Sequence, residues 1–253
     1  MRWPRQELES ARPLRCSPLY DLLADRGAEF GAKNGWERAN WFAPPGVEPK
    51  DDWSFRRTNY FEHVGAECRR IRERVGVIDL TPFTKFDVTG PGAEGWLDSL
   101  VANKVPTKVG RIALCHALTQ RGGIRSEFTI TKLADHHYYV VSAGAAERYD
   151  SDFLQKRLPT DGSVALRNIT GSRGVFVLAG PRARDVMAKL TDVPLDNASF
   201  PWLTGQVIEA GPATDVYALR VNFVGALGWE LHFPIEYAHG LFESADVMRS
   251  LLG

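Results

Sequence analysis

Cysteine is scarce in this chain: Cys16, Cys68 and Cys115 are the only three among 253 residues. An odd, sparse count without metal-ligand spacing gives no basis for a disulfide framework or a zinc site and points to a reducing compartment. Net charge is missing too, since 31 Lys and Arg balance 31 Asp and Glu. No global field would draw in nucleic acid or an anionic membrane, so neither is expected as a partner. No apolar run reaches the length of a membrane span. Met1–Glu7 lacks the apolar core of a secretory signal. A cytoplasmic protein is the expectation. Neither a phosphate-cradling glycine-rich loop nor a dinucleotide fingerprint occurs. His136 and His137 are adjacent in a strand pattern, so they point to opposite faces and make a poor metal pair. No metal is expected.

What remains is an ordinary globular composition, 44% hydrophobic and 25% charged, enough for one large domain or two interleaved ones. Residues 1–60 are rich in Pro, Arg and aromatics with little clean periodicity. They read as a wrapping arm held by aromatic anchors such as Trp36, Trp41 and Trp53. Residues 61–253 form the second region. A helix is expected over 62–75, with Gly76 suited to its C-cap. Its run Arg69–Arg74 falls opposite the apolar stripe of Val64, Cys68, Ile71 and Val75 and reads as a solvated face.

An internal echo follows. Phe86–Thr89 leads through Gly90-Pro91 into a helical pattern over 93–101, and Val177–Ala179 leads through Gly180-Pro181 into another over 182–191. Proline fits a first helical turn, and glycine permits the sharp entry. Two such units predict duplicated strand–helix modules in an α+β arrangement, although two similar corners can also arise by chance. Between them, Arg111–Leu118 and Arg125–Thr131 flank the turn Gln120-Arg121-Gly122-Gly123 as a hairpin. In its second strand Ser126, Phe128 and Ile130 share one face, and Glu127, Thr129 and Thr131 the other. The segment His137–Val141 is a further strand. Over 239–252, Leu241, Phe242, Ala245, Met248 and Leu252 recur at helical spacing.

The stretch Arg220–Pro234 reads as strand, glycine-bearing turn at Gly225–Gly228, strand. Trp229, Leu231 and Phe233 alternate with Glu230 and His232, which puts a carboxylate on the face opposite the aromatics. Such a carboxylate can accept two hydrogen bonds from an N–H-rich ring such as a pterin. On periodicity alone it can equally stand in water on an amphipathic strand. Glu127 has the same two readings, a solvated residue or a reacting carboxylate.

Several stretches together resemble the glycine-cleavage T-protein (aminomethyltransferase) superfamily, most closely the folate-binding part of the dimethylglycine and sarcosine dehydrogenases and oxidases. They are Ser10–Arg15 with Ser17–Tyr20, Gly35–Phe42, Val77–Phe86, Arg121–Thr129 and Arg220–Pro234. They occur in the family's order and span nearly the whole chain.

The resemblance implies a cloverleaf of α+β modules around a tetrahydrofolate site. It also implies that this chain ends before the family's C-terminal β-barrel and carries no FAD site. The implied activity is that of a transferase, which captures a methylene or imine unit from an amine donor such as oxidised dimethylglycine or sarcosine and gives 5,10-methylenetetrahydrofolate. A separate flavoprotein amine dehydrogenase is then an expected partner.

Residue by residue, Glu230 matches the carboxylate that fixes the pterin. Glu127 matches the catalytic carboxylate after the Gly-Gly turn, an Asp in close relatives. Phe223, Leu114 and Phe83 would pack on the ring, and Thr129 would orient Glu127. Leu114 and Phe223 stand where a Tyr is common, and Ala226 where an acid is frequent, so hydroxyl and charge are lost there. Arg111, Arg125 and Arg173 are candidates for the glutamate tail of folate, or plain surface arginines. Methyl transfer to tetrahydrofolate and a non-catalytic folate-binding or regulatory module remain the alternatives.

Overall fold

The computed structural model describes residues 6–221 and 225–244. The chain runs α1 (Tyr20–Asp25), β1 (Ala28–Lys33), β2 (Trp36–Phe42), α2 (Phe61–Glu73), β3 (Gly76–Asp79), β4 (Thr84–Thr89) and α3 (Ala93–Leu100). There follow β5 (Ile112–Leu118), β6 (Ile124–Ala134), β7 (His137–Ser142), α4 (Glu147–Gln155), β8 (Ala165–Asn168) and β9 (Arg173–Ala179). The remainder is α5 (Ala183–Leu190), β10 (Gly205–Ala210), β11 (Ala213–Leu219), β12 (Gly228–Pro234) and α6 (Ala238–Glu243). This is the α+β class expected.

Two five-stranded sheets carry the fold, in the orders β5-β6-β7-β4-β8 and β10-β11-β12-β9-β3. The echo is a topological one. In each sheet a strand ending in Gly-Pro pairs antiparallel with the last strand of the three-strand meander that follows it: β4 with β7, and β9 with β12. Both meanders then lead through a short 3-10 turn into a helix. The fifth strand of each sheet comes from the other side of the chain. Strand β3 precedes β4 but pairs with β9, whereas β8 precedes β9 but pairs with β4. Each unit thus completes the other's sheet.

The two corners require glycine. Gly90 and Gly180 have φ of +117° and +134°, and a Cβ on Gly180 would lie 2.5 Å from the Arg74 carbonyl oxygen. No L side chain fits there without backbone movement.

Three apolar clusters follow from the strand alternation. Phe86, Val88, Cys115, Phe128, Ile130, Tyr138 and Val140 face α3 and α4. Phe176, Leu178, Val216, Trp229, Leu231 and Phe233 face α1, α5 and α6. The third lies between the sheets and consists of Ile112, Tyr139, Val141, Tyr217 and Leu219, with Phe83 packed against it. The sheets also touch at their edges, where Gly205 N–H donates to the Gly110 carbonyl at 2.7 Å.

Three expectations need correcting. Residues 1–60 contain a helix and the antiparallel pair β1–β2, turned at Asn34 and Gly35, both with positive φ. Asn-Gly between strands is the signature of a tight hairpin turn. Trp36 and Trp41 are buried as anchors, whereas Phe55 is mostly exposed. Gly76 does not cap α2; it opens β3, where a Cβ would meet the Ile71 side chain. Of the strand expected from Arg220, residues 222–224 lie outside the described residues; Arg220 and Val221 are not in a strand, and β11, which pairs with β12, ends at Leu219. The second half of the expected 239–252 helix falls outside the described residues.

Gly180→Ala should cost about 2–4 kcal/mol, because both φ and space are denied to the new Cβ. Gly162→Ala, at φ +77° with nothing within 4 Å, should cost only about 1 kcal/mol. Urea unfolding of both variants checks the difference.

Candidate functional site

The hairpin β5–β6 presents a mixed face. Its register sets Leu114 opposite Thr129 and His116 opposite Glu127. Directly opposed residues point the same way, so these four side chains share a face with Thr131 and, across β7, with Tyr139 and Val141. Leu114 is 50% exposed and the Glu127 side chain 53%. Glu127 is not alone in solvent: the His116 Nε2–H donates to its Oε2 at 2.9 Å. His116 was missed from sequence, although counting back symmetrically from the Gln120–Gly123 turn sets it opposite Glu127.

The facing sheet supplies the second half. Glu230 and His232 are two residues apart on β12 and share its inner face, where Glu230 is 5% and His232 0% exposed. Solvation of Glu230 on an amphipathic strand is therefore excluded, because both faces of β12 are buried. Glu230 lies between Val177 on β9 and Leu219 on β11. Its Oε2 accepts from His232 Nε2 at 3.1 Å, and His232 Nδ1 lies 2.8 Å from the Tyr139 hydroxyl. Tyr139 belongs to the other sheet, so this contact turns the Glu230 face and the Glu127–Thr129–Leu114 face towards each other. Phe83, half-buried, packs at the same boundary. Phe223 lies outside the described residues, and Ala226 is half-buried beside the turn.

Burial sets the protonation of the polar groups. It pulls the His232 imidazole below its ordinary value, against the pull of the Glu230 carboxylate, and pushes the Tyr139 phenol well above its own. Lys85 on β4 is fully buried, donates to the carbonyls of Thr81 and Arg173 at 2.7 and 2.6 Å, and is lowered by burial to about 7. Arg173 is no surface arginine: it is buried, stacks over Tyr217 at 3.6 Å, pairs with Asp215 and donates to the His232 carbonyl. Arg125 lies over Tyr149 and Phe153. Arg111 alone of the three arginines is exposed, at the bridge to Thr204.

Chemically, the boundary carries a buried carboxylate that accepts from His232 and, further along the facing hairpin, an exposed carboxylate–imidazole pair able to hold or pass a proton. Among the described residues no cluster of His, Cys, Asp and Glu is placed to hold a metal ion, and no helix is long and apolar enough to cross a membrane.

Comparison with known proteins gives a consistent result. The family model described as the GCVT N-terminal domain matches residues 19–246. The mitochondrial dimethylglycine dehydrogenase of Rattus norvegicus is 37% identical over 243 residues, covering 95% of this chain and 28% of that protein. The mitochondrial pyruvate dehydrogenase phosphatase regulatory subunit of Mus musculus is 32% identical over 240 residues, covering 93% of this chain and 27% of that protein. The chain thus spans less than a third of the length of these curated relatives. Among solved structures, the glycine cleavage system aminomethyltransferase T from Bartonella henselae superposes with a TM-score of 0.72 at 24% identity, over 95% of this chain and 57% of that one. That likeness shows the fold.

Lys85 sets a pH dependence with a definite sign. Its ordinary value of 10.5 is lowered to about 7 in the fold. Between those values the unfolded chain holds a proton that the folded chain has released, so stability rises with pH by up to about 1.4 kcal/mol per unit. Lys85→Met should remove this slope. Urea unfolding at pH 7 and pH 9 should show the wild type gaining about 2 kcal/mol relative to the variant.

Proposed function

This chain belongs to the GCVT N-terminal domain family, and on that footing we propose that it is a tetrahydrofolate-dependent one-carbon transferase unit. The observation that carries the reading is the Glu230 carboxylate, buried between the two sheets and aimed by His232. A buried carboxylate accepts hydrogen bonds and cannot donate them, so it suits the N–H-rich edge of a pterin. Leu114 and Phe83 give apolar surface for the ring faces. A donor edge with two apolar faces is the chemistry a pterin presents, so the residues fit the group.

When bound, tetrahydrofolate supplies the nucleophilic nitrogen that takes up the one-carbon unit. The chain's own residues do the rest. Glu230 accepts from the pterin edge and fixes its orientation. Glu127 takes up or returns a proton at its carboxylate, and the His116 Nε2–H holds that carboxylate in place. Thr129, next along the same face, offers a hydroxyl to orient it. A carboxylate positioned in this way contributes about 10²–10⁴-fold to rate. The carbon donor we propose is the oxidised form of an N-methyl amine such as dimethylglycine or sarcosine, supplied by a flavoprotein amine dehydrogenase.

Similarity to a phosphatase regulatory subunit supports a second reading, a folate-binding module without catalysis. Glu127 separates the two. Calorimetric titration with folinic acid should give a Kd of about 1 μM, or about −8 kcal/mol, weakened by about a hundredfold or more in Glu230→Ala. Glu127→Ala should bind within about threefold of wild type and lose about 10²-fold or more in transfer rate. No binding by the intact chain, or full binding by Glu230→Ala, would overturn the assignment. Unchanged activity in Glu127→Ala would leave the binding module. Identification of the folate product by mass distinguishes methylene from methyl transfer.

A further inference from the structure

A neutral histidine with both ring nitrogens engaged has its tautomer dictated by its partners. His232 is such a residue. It is fully buried, with Nε2 3.1 Å from Glu230 Oε2 and Nδ1 2.8 Å from the Tyr139 hydroxyl. Burial lowers its proton affinity, and Lys85 and Arg173 lower it further. The imidazole therefore carries one proton.

A carboxylate only accepts, so that proton sits on Nε2 and Nδ1 is bare. The Tyr139 hydroxyl donates to Nδ1, and among the described residues it has no other acceptor. The phenol cannot easily swing away. It is fully buried, edge-on to Tyr217 at 5.1 Å and to the imidazole at 5.3 Å. The opposite tautomer would set a bare Nε2 against the carboxylate and leave the Tyr139 proton without a partner in the interior.

We propose that Tyr139, reaching across from the other sheet, is a positioning residue: with Glu230 it holds His232 as the Nε2–H tautomer, so that Nε2 meets position 230 as a donor and only an acceptor atom there can face it. The Tyr139 proton also occupies the ring position at which His232 could take a second proton. A carboxylate at position 230 then keeps its second oxygen for a ligand edge built of N–H donors. This rests on the reading of Glu230 as the pterin-binding carboxylate and adds the device that holds its neighbour as a donor.

The substitution Glu230→Gln tests the device. With His232 locked as a donor at Nε2, the amide that replaces the carboxylate must turn its carbonyl to His232 and its NH₂ to the ligand, which meets a donor edge with donors. Glu230→Gln should therefore weaken folinic acid binding by about a hundredfold, as much as Glu230→Ala. Removing the lock reverses this. In the Glu230→Gln, Tyr139→Phe double variant His232 is free to carry its proton on Nδ1, Nε2 accepts from the amide, and the amide oxygen faces the ligand. Binding should recover by about tenfold relative to Glu230→Gln alone, the scale of one buried unpaired hydroxyl. Tyr139→Phe alone should bind within about threefold of wild type, because the carboxylate still demands Nε2–H. A purely structural role for Tyr139 predicts the opposite, a double variant weaker than either single one.

The ligand-free protein gives an independent readout. In the ¹⁵N-histidine spectrum at pH 7, assigned by comparison with His232→Gln, His232 should show a protonated Nε2 and a bare Nδ1. A protonated Nδ1, or no recovery in the double variant, would overturn the proposal. If the wild type bound no folinic acid while the spectrum showed the Nε2–H form, the reading of function would fail and the tautomer lock would stand.

Discussion

A polar side chain buried between two sheets needs a partner, since each one left alone costs on the order of 1–3 kcal/mol. The boundary between these sheets is built on that constraint. Tyr139 hydrogen-bonds His232, His232 hydrogen-bonds Glu230, Lys85 is held by two backbone carbonyls, and Arg173 is held by Asp215, a carbonyl and the Tyr217 ring. Two of these contacts cross from sheet to sheet, Lys85 to the Arg173 carbonyl and Tyr139 to His232, and the second is the one beside Glu230. It sets the Glu230 face against the Glu127 face, and so the geometry of the candidate site follows from how the interior polar groups are satisfied.

The exchange of β3 and β8 makes the two units interdependent. Neither sheet is complete until the other unit's preceding strand has docked, so the boundary that holds the site forms only when both halves have folded. Non-local pairing of this kind slows folding but yields a rigid scaffold, which suits a site whose groups come from opposite sheets. The N-terminal segment adds a brace. Arg12 forks onto the buried Glu37 carboxylate, and Arg15 lies over Trp36 while pairing with Glu147 at the start of α4.

Under the proposed function, Leu114 and Glu127 bear on chemistry more than on binding. Leu114 can offer a ring no hydrogen bond, and Glu127 carries its charge one methylene further out than an aspartate would. The partner of Glu127 is an imidazole directly across the hairpin. A longer carboxylate steadied by a histidine is a coherent alternative to a shorter one with tyrosine nearby. The Glu230 carboxylate, held in a hydrogen-bond chain with His232 and Tyr139, supports the pterin reading on separate grounds.

Much of this was legible in the sequence, because it depends on local backbone chemistry. Gly-Pro marked both corners, Gly-Gly marked the hairpin, and period-two alternation sorted Ser126, Phe128 and Ile130 from Glu127, Thr129 and Thr131 correctly. The hairpin's symmetry even contained the His116–Glu127 pairing, and Asn34-Gly35 contained the β1–β2 turn; both needed only a register count or a turn rule. The rest was not there to read. Whether Glu230 met water or an interior depended on a second sheet closing over its face, and alternation along one strand is silent about what lies opposite. The exchange of β3 and β8, the burial of Lys85 and Arg173, and the contact between Tyr139 and His232 join residues far apart in the chain. Local propensity and spacing determined which strands and turns could form; only the packing of the two sheets decided which polar side chains would be buried together, and therefore which of them share a site.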